Sequence, residues 1–404
     1  MASTNTTRAK VGDILELSIE KVAHGGHFIA RYGGQVIFVR HAIPGERCRI
    51  IITSTGSSFN RADVIEVLEP SPDRVSAPCS FSHQAGCGGC DFQHISPTRQ
   101  RQLKSDVITE QFLRIAKMNV QVDVEEVGGP LHWRTRSIAT TTKDGKLGFY
   151  GTRSHTVVPI QDCLIAVENM EMPELAARTW RGDVRIEIAT SNTGERNIAL
   201  SPKRGEGQAR LTEGNQTLHE VVAGKTLKVS QDSFWQAHVK APEVLTEVLL
   251  NFAQLQSGDH VLDLYGGVGL FTAAMIDMVG GNGSIDLIES SKCATSDAAK
   301  NFANNSNVRI ATGDVAKLLP RIAKADVVVL DPPRIGAGKT VLAEIARMGP
   351  RAVVYIACDP AALARDTAYF LKLGYSIAKI RAFDLFPMTH HIECIALYLP
   401  TKVS

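Results

Sequence analysis

Short alternating runs of apolar and polar residues fill the first seventy positions of the chain. The segments DILELSIEKV, HFIARYGGQVIFVR, ERCRIIITST and RADVIEVLE have this pattern, and glycine pairs at 25–26 and 33–34 punctuate them. Because strand side chains alternate between two faces, the pattern predicts a small β-barrel over residues 10–70. Residues 1–9 are polar and are expected to form a disordered tail.

A different pattern begins at residue 71, where prolines lead into a cysteine-rich stretch. Residues 98–117 have apolar positions at helical spacing, whereas residues 131–228 return to short alternating runs. We therefore expect residues 71–228 to form a central, mainly β domain that includes the cysteine-rich stretch.

From residue 229 onwards, apolar runs of strand length alternate with helical stretches. The strand-like runs include HVLDLYGG, SIDLIESS, ADVVVLDPP and AVVYIACDP. This alternation predicts a Rossmann-like α/β domain over residues 229–404, in which helices cover both faces of a mostly parallel sheet. A short connection joins the last two runs, YSIAKIRAFDLF and IECIALYLP, so these are expected to form an antiparallel hairpin.

Composition and charge narrow the function classes. At 404 residues and 44% hydrophobic content, the chain can build two or three cores. A formal net charge of +2 excludes a strongly polybasic protein, so nucleic-acid contact would need a local basic patch. One candidate is the set Arg99, Arg101, Lys104, Arg114 and Lys117, although a solvated helix face explains these charges better when they are taken alone.

Targeting signals and cysteine usage give the expected location. No apolar run of about 18 residues is present, so no membrane span is expected. The polar N-terminus lacks the apolar region of a secretory signal. Eight cysteines without such a signal favour the cytoplasm, where clustered cysteines more often bind metal or catalyse than form disulfides. We expect a monomer.

A glycine-rich turn follows the apolar run 261–264 and precedes a helical stretch. Its glycines would let a ligand approach the backbone at the carboxyl end of a strand. Thr272 replaces the third glycine of a dinucleotide fingerprint, and the Lys-Ser/Thr of a phosphate loop is absent. Glu289 ends the next strand-like run, where it could accept hydrogen bonds from ribose hydroxyls. Asp314 follows the run after that, where it could bind an adenine amino group or simply cap a helix.

The motif Asp331-Pro332-Pro333-Arg334 follows the apolar run ADVVVL. The prolines would fix a turn at the mouth of the same site. The motif is typical of methyltransferases that act on nucleobases, and the amino-directed ones usually end it with an aromatic residue. Arg334 at that position disfavours amino methylation.

Cys358 ends another strand-like run and precedes a helix. A lone cysteine is usually a buried core residue. At a helix N-terminus, however, unpaired N–H groups and the helix dipole would stabilise its thiolate. Such a thiolate could add to carbon 6 of uracil and make carbon 5 nucleophilic. Glu393 is then the candidate base that removes the proton from carbon 5.

Five motifs together resemble the RNA uracil-C5 methyltransferase family, and within it the iron–sulfur, TRAM-domain branch that acts on 23S rRNA. They are SFWQ (233–236), DLYGGVG (263–269), LDPPR (330–334), IACDPAALARD (356–366) and FPMTHHIEC (386–394). Residues 10–70 resemble a TRAM domain, so the resemblance covers nearly the whole chain. It implies that Cys358 is the nucleophile, that Glu393 is the base, and that S-adenosylmethionine is the methyl donor. The implied cofactor contacts are Gln236, Tyr265, Glu289, Asp314 and Asp331.

Cys79, Cys87, Cys90 and Cys163 form the second candidate site. Four thiolates suit either zinc or an iron–sulfur cluster. Their spacing alone favours zinc, whereas the resemblance implies a 4Fe-4S cluster. The seven residues between Cys79 and Cys87 form a longer loop than is usual in the family.

Three alternatives accompany this interpretation. The same chemistry could act on the T-loop uridine of tRNA rather than on 23S rRNA. A non-catalytic RNA-binding protein could carry the barrel and the cysteines, but it would not need Cys358, Asp331 and Glu393. A zinc-dependent nucleic-acid module could also be joined to an unrelated transferase domain.

Overall fold

The computed structural model describes residues 8–202 and 209–401, which fold around three large sheets and a two-stranded hairpin. Of the tail predicted over residues 1–9, residues 1–7 lie outside the described part, whereas Ala9 is buried against the core. Within the described residues, no helix is both long and apolar enough to cross a membrane.

The predicted small barrel is present as a six-stranded sheet with the order β1-β5-β6-β4-β3-β2. Its strands are β1 (Ile14–Ser18), β2 (Lys21–Ala23), β3 (His27–Tyr32), β4 (Gln35–Arg40), β5 (Arg47–Ser54) and β6 (Phe59–Glu69). Neighbouring strands pair antiparallel, except β4 and β6, which are parallel. In β5, buried Cys48, Ile50 and Ile52 alternate with more exposed residues, as a strand with one face in a core requires.

The central sheet is antiparallel and has the strand order β10-β9-β8-β11-β12-β13. Its strands are β8 (Arg136–Thr141), β9 (Leu147–Tyr150), β10 (Val157–Pro159), β11 (Val184–Thr190), β12 (Arg196–Pro202) and β13 (Arg210–Glu213). The short helix α2 (Met172–Ala177) lies between β10 and β11, and the hairpin of β14 (Thr217–Val222) and β15 (Lys225–Ser230) follows β13.

The third sheet has the Rossmann-like arrangement that the sequence predicts, with the strand order β18-β17-β16-β19-β20-β22-β21-β7. Its strands are β7 (Val124–Glu126), β16 (His260–Leu264), β17 (Ser284–Glu289), β18 (Val308–Thr312), β19 (Val327–Leu330), β20 (Ala352–Ala357), β21 (Tyr375–Asp384) and β22 (Glu393–Pro400). The helices between them are α3 (Ala241–Ala253), α4 (Leu270–Val279), α5 (Lys292–Asn301), α6 (Val315–Leu318), α7 (Gly338–Met348) and α8 (Pro360–Lys372).

The middle of this sheet is parallel and wholly buried. Every residue of β19 and of β20 is buried, as expected for strands covered by helices on both faces. The last two long strands, β21 and β22, form the predicted antiparallel hairpin, and β22 pairs antiparallel with β20. The carboxyl ends of β19 and β20 therefore lie beside the start of β22.

One part of the predicted central domain packs on the C-terminal sheet instead. Helix α1 (Pro97–Gln111), which continues as a π-helical turn over Phe112–Ala116, contacts α8. Strand β7 then joins the edge of the C-terminal sheet, parallel to β21. The sequence could not indicate this because a three-residue strand carries almost no periodic signal.

The basic residues of α1 are engaged within the chain. The Nζ of Lys104, buried at 1% exposure, donates to Asp384 Oδ1 at 2.6 Å and to the Phe386 carbonyl at 3.1 Å. Arg101 pairs with Glu126 at 3.0 Å. These two members of the candidate basic patch are therefore paired with carboxylates within the chain, where they stabilise the fold.

Replacing Lys104 by Met should leave Asp384 buried without its counterion. Because an uncompensated buried charge is costly, we expect the free energy of unfolding to fall by about 3–5 kcal/mol in urea denaturation. The matched control is Lys21→Met, which breaks the exposed Lys21–Glu110 pair and should cost less than about 1 kcal/mol. Equal losses in the two variants would contradict the structural role given to Lys104.

Candidate active site

Three acidic side chains meet at the ends of adjacent strands. Asp331 directly follows β19, Cys358 directly follows β20, and Glu393 begins β22. Ala357 pairs with Cys394 in the antiparallel ladder, so Cys358 lies opposite Glu393 one step beyond it. Residues opposed in this way have Cα atoms roughly 4.5–5.5 Å apart. The structure thus brings the predicted nucleophile and base together.

These groups disfavour one another's charged forms. Burial, reinforced by Glu393 and Asp331, raises the pKa of the Cys358 thiol to about 12, and Arg334 only partly opposes this. Burial and Asp331 also raise the pKa of Glu393 well above its ordinary value. Glu393 Oε1 is buried without a hydrogen-bond partner. In the protein alone, Cys358 is therefore a protonated thiol.

This result corrects the expectation that the helix N-terminus stabilises a Cys358 thiolate. The first turn of α8 already has an acceptor, because Asp359 Oδ1 accepts from the Ala362 N–H at 2.8 Å. The Asp359 carboxylate itself disfavours a neighbouring thiolate. Activation of Cys358 thus requires a further positive charge or donor close to the three acidic groups.

A cleft next to Asp331 contains several of the predicted cofactor contacts. The cleft is lined by Phe234, Trp235, Gln236, Tyr265, Gly266, Gly267, Val268, Leu270, Phe271 and Asp331. Gln236 Nε2 donates to Asp331 Oδ2 at 3.2 Å. Tyr265 has a φ of 61°, a strained conformation for a residue with a side chain, and such strain is concentrated at functional sites.

Glu289 and Asp314 lie beside this cleft rather than in its lining. The Gly267 N–H donates to Glu289 Oε2 at 3.2 Å. Burial raises the pKa of Tyr265 to about 12, and the charges of Asp314, Asp366 and Glu289 add to the effect. Asp314 also caps α6 by accepting from the Lys317 N–H at 3.3 Å, so it has the helix-capping role as well.

Asp263 is an acidic residue of the site that the motifs did not single out. It is fully buried within β16, and burial raises its pKa to about 6. Oδ2 accepts from the Thr272 N–H and hydroxyl at 3.0 and 2.6 Å, whereas Oδ1 has no partner. Asp331, whose pKa burial and Asp263 raise to about 7, lies nearby. The signal in the sequence was an acidic residue inside the apolar run VLDL.

Cys79, Cys87, Cys90 and Cys163 line one common, small pocket. Burial raises the pKa of Cys90 to about 12 and that of Cys163 to about 11. All eight cysteines of the chain are free of disulfides. Across the described ranges, no three His, Cys, Asp or Glu side chains are grouped so that they could hold a metal ion. The structure therefore brings the four predicted thiols to one pocket without a preformed single-ion site.

Two features of that pocket suit thiolates. The Gly89 N–H points at Cys87 Sγ at 3.4 Å. Arg134 lines the pocket, its Nε is buried without a partner, and its charge lowers the pKa of the thiols that burial raises. An anionic group bound here would find both a donor and a positive charge.

Removing the charge of Asp331 should make Cys358 more reactive in the protein without ligands. In Asp331→Asn the thiol pKa should fall, and the rate of iodoacetamide alkylation at pH 9 should rise by about tenfold per pKa unit. Arg334→Ala should have the opposite sign, because it removes the one favourable charge. Alkylation is followed at Cys358 by peptide mass spectrometry.

The control for that experiment is Asp277→Asn, which neutralises an exposed carboxylate on α4 that pairs with Lys225. Its Cys358 alkylation rate should match that of the unmodified protein. The electrostatic account fails if Asp331→Asn and Arg334→Ala shift the rate in the same direction.

Comparisons with known proteins agree with this geometry. The chain matches the family described as tRNA (Uracil-5-)-methyltransferase over residues 215–401, and the TRAM domain over residues 8–65. An uncharacterized RNA methyltransferase of Streptomyces coelicolor is 40% identical, with 96% of this chain and 93% of that protein aligned. One from Bifidobacterium longum is 35% identical, over 95% of this chain and 96% of the relative.

A solved structure shares the fold over almost the full length. The crystal structure of the Pyrococcus abyssi tRNA (uracil-54, C5)-methyltransferase in complex with S-adenosyl-L-homocysteine has a TM-score of 0.72 at 21% identity. The likeness covers 95% of this chain and 100% of that one. At this identity it supports the fold alone. With the family match and the full-length relatives, the chain belongs to the tRNA (uracil-5-)-methyltransferase family and is an S-adenosylmethionine-dependent RNA uracil-5 methyltransferase.

Proposed function

We propose that this enzyme forms 5-methyluridine in 23S rRNA, with Cys358 as the nucleophile and Glu393 as the base. The observation that carries the proposal is the register of β20 and β22, which sets Cys358 opposite Glu393 at the mouth of the site, beside Asp331. A non-catalytic RNA-binding protein would have no reason to bury three mutually repelling acidic groups together.

Cys358 performs the first covalent step. Its Sγ forms a bond to carbon 6 of the target uracil, and the electrons of the C5–C6 double bond move to the carbonyl at carbon 4 as an enolate. The thiol proton must first leave to solvent, and the raised pKa of Cys358 means that this occurs only in the assembled complex. Carbon 5 then becomes nucleophilic.

S-adenosylmethionine, when bound, supplies the methyl group that carbon 5 accepts. The proposed contacts are Gln236, Tyr265, Glu289, Asp314 and Asp331. Asp331 lines the cleft, and the buried Asp263, whose Oδ1 has no partner, raises the pKa of Asp331, so the cleft suits a positively charged ligand. A positive charge near Asp331 would also favour the Cys358 thiolate, so cofactor binding and activation of the nucleophile are linked.

Glu393 completes the reaction. As a carboxylate it accepts the remaining proton from carbon 5, the C5–C6 double bond forms again, and Cys358 leaves as a thiolate. Burial and the neighbouring Asp331 raise the pKa of Glu393, which makes its carboxylate a stronger base than an exposed one. The unpartnered Oε1 leaves one oxygen ready for that proton.

Two RNA substrates are candidates for this chemistry. The TRAM-like barrel and the four cysteines support 23S rRNA. The Pyrococcus enzyme of similar fold acts on uracil-54 of a tRNA, which keeps the T-loop uridine of tRNA as the second candidate. We also propose that the enzyme works as a monomer in the cytoplasm, where its eight free cysteines would stay reduced.

We further propose that Cys79, Cys87, Cys90 and Cys163 hold a 4Fe-4S cluster, with zinc as the alternative. Support comes from their shared pocket, from the Gly89 N–H directed at Cys87 Sγ, and from the buried positive charge of Arg134. A group larger than one ion suits thiols that surround a common space. The cluster would order the loop that contains Cys90, and the proposal gives it no redox role.

The catalytic roles are tested with 23S rRNA and tRNA transcripts that contain 5-fluorouridine. The unmodified enzyme should form a covalent adduct with its own substrate, because fluorine at carbon 5 cannot be removed as a proton. Cys358→Ala should form none and should lose methylation of normal RNA by at least about 10⁴-fold, as expected for removal of a nucleophile. Glu393→Gln should form an adduct with normal RNA that decays slowly.

Cys293→Ala is the matched control, since it removes a partly exposed cysteine outside the proposed chemistry. Its adduct yield should equal that of the unmodified enzyme. Turnover by Cys358→Ala would overturn the mechanism. An adduct with the tRNA transcript alone would replace 23S rRNA by the second candidate.

Metal analysis tests the cysteine site in protein purified without oxygen. We expect about four iron and four sulfide per chain, brown colour, and loss of both on Cys163→Ser, because three thiolates remain. Cys48→Ser, at a buried cysteine of the barrel, is the control and should keep full iron content. Stoichiometric zinc without sulfide would reject the cluster in favour of the alternative.

A further inference from the structure

The loop between β2 and β3, residues His24, Gly25 and Gly26, extends from the barrel to the active site. More than 300 residues of sequence separate this loop from Cys358 and Glu393. Nevertheless, the loop touches one segment that follows Cys358 and another that precedes Glu393.

The first contact is with the residue after Cys358. His24 Nε2 lies 3.0 Å from Asp359 Oδ2. Asp359 uses its other oxygen to cap α8 through the Ala362 N–H. The Asp359 carboxylate therefore binds the first turn of α8 through one oxygen and the barrel loop through the other. Cys358 is the residue directly before the one that carries this carboxylate.

The second contact is with the loop before Glu393. A Cβ atom on Gly26 would lie 2.9 Å from His390 Nδ1, and Gly26 has a φ of +78°, so only glycine fits here. His390 is also held by Asp91, because its Nδ1 lies 2.6 Å from Asp91 Oδ2. His390 is thus in contact with both the barrel loop and the residue after Cys90.

The contacts continue from His390 to the segment that contains Asp331. The rings of His390 and His391 have centroids 4.1 Å apart. His391 Nε2 accepts from Arg334 Nη2 at 3.4 Å, and Arg334 is the last residue of the turn that begins with Asp331. One chain of contacts therefore runs from the barrel loop to all three segments of the site.

We propose that the barrel loop is a positioning element for catalysis, and that His24 sets the location of Cys358 relative to Glu393 by holding Asp359. This inference rests on the roles proposed above for Cys358 and Glu393. The barrel then contributes directly to the chemical step, in addition to any contact with RNA. The enzyme would need its barrel even for a short RNA that reaches only the active site.

Positioning matters because the reaction rate depends steeply on the distance between the reacting groups. Displacing a reacting group by about 1 Å can cost on the order of 100-fold in rate. His24 is 40% exposed, so its removal should not unfold the barrel. Loss of its single hydrogen bond to a carboxylate should lower kcat by about tenfold and leave KM for RNA nearly unchanged. A lower kcat with an unchanged KM indicates that the thiol is misplaced, whereas weaker RNA binding would raise KM.

The experiment compares His24→Ala and His24→Gln in the full-length enzyme. Kcat, KM and the rate of adduct formation are measured with the 5-fluorouridine and normal transcripts that the unmodified enzyme accepts. The amide of Gln can donate to Asp359 as the imidazole does, so His24→Gln should recover most of the rate. The control is Lys21→Ala, which breaks an exposed barrel contact with Glu110 and should behave as the unmodified enzyme.

Hydrogen exchange without RNA gives a second measurement that does not depend on turnover. Amides of residues 358–363 should exchange faster in His24→Ala and at the normal rate in His24→Gln. If the unmodified enzyme forms no adduct, the proposed chemistry fails and this inference fails with it. If the unmodified enzyme forms an adduct and His24→Ala keeps its kcat, only the positioning role is overturned. A rise in KM with constant kcat would also overturn it, because that is the signature of an RNA contact.

Discussion

A buried ion pair between Lys104 and Asp384 is the contact on which the geometry of the site depends. Asp384 ends β21, and the loop that follows leads directly to Glu393 at the start of β22. Lys104 also donates to the Phe386 carbonyl, so one ammonium group fixes both the strand end and the first turn of the loop. Taking two charges out of water is costly, and such a pair is better suited to specifying one loop conformation than to adding stability.

The rest of the loop is held by contacts from other units of the chain. Gln100 of α1 accepts from the Met388 N–H at 2.9 Å, and the Asp91 and Phe92 N–H groups donate to the Met388 carbonyl. Gly26 of the barrel packs against His390. The barrel, the cysteine-rich segment and α1 thus converge on eight residues, 385–392, that lie between two strands of the C-terminal sheet. Three segments that are separate in the sequence therefore support the same loop, residues 385–392.

The acidic groups at the centre of the site are energetically unfavourable, and the surrounding fold must compensate for them. Cys358, Asp331 and Glu393 all have raised pKa values because burial and mutual repulsion disfavour their charged forms. Tyr265 adds backbone strain at the same edge of the sheet. Proteins keep such unfavourable arrangements where function requires them, and the rigid strands on either side supply the compensating stability. In the proposed mechanism, a positively charged ligand would relieve the repulsion and so couple binding to activation of the thiol.

The sequence by itself determined the fold class and most of the candidate residues. Apolar runs such as VVVL and AVVYIA predicted buried parallel strands, and the residues directly after them, Asp331 and Cys358, had to lie at one edge of the sheet. Such local signals are visible in sequence because strand ends in parallel sheets share an edge. Only the tertiary structure decided the protonation of Cys358, since the carboxyl groups of Asp331 and Glu393 come from separate segments of the chain. The same holds for Lys104 and for the barrel loop at His24. Their roles arise from contacts between residues far apart in the chain, and no periodic pattern records them.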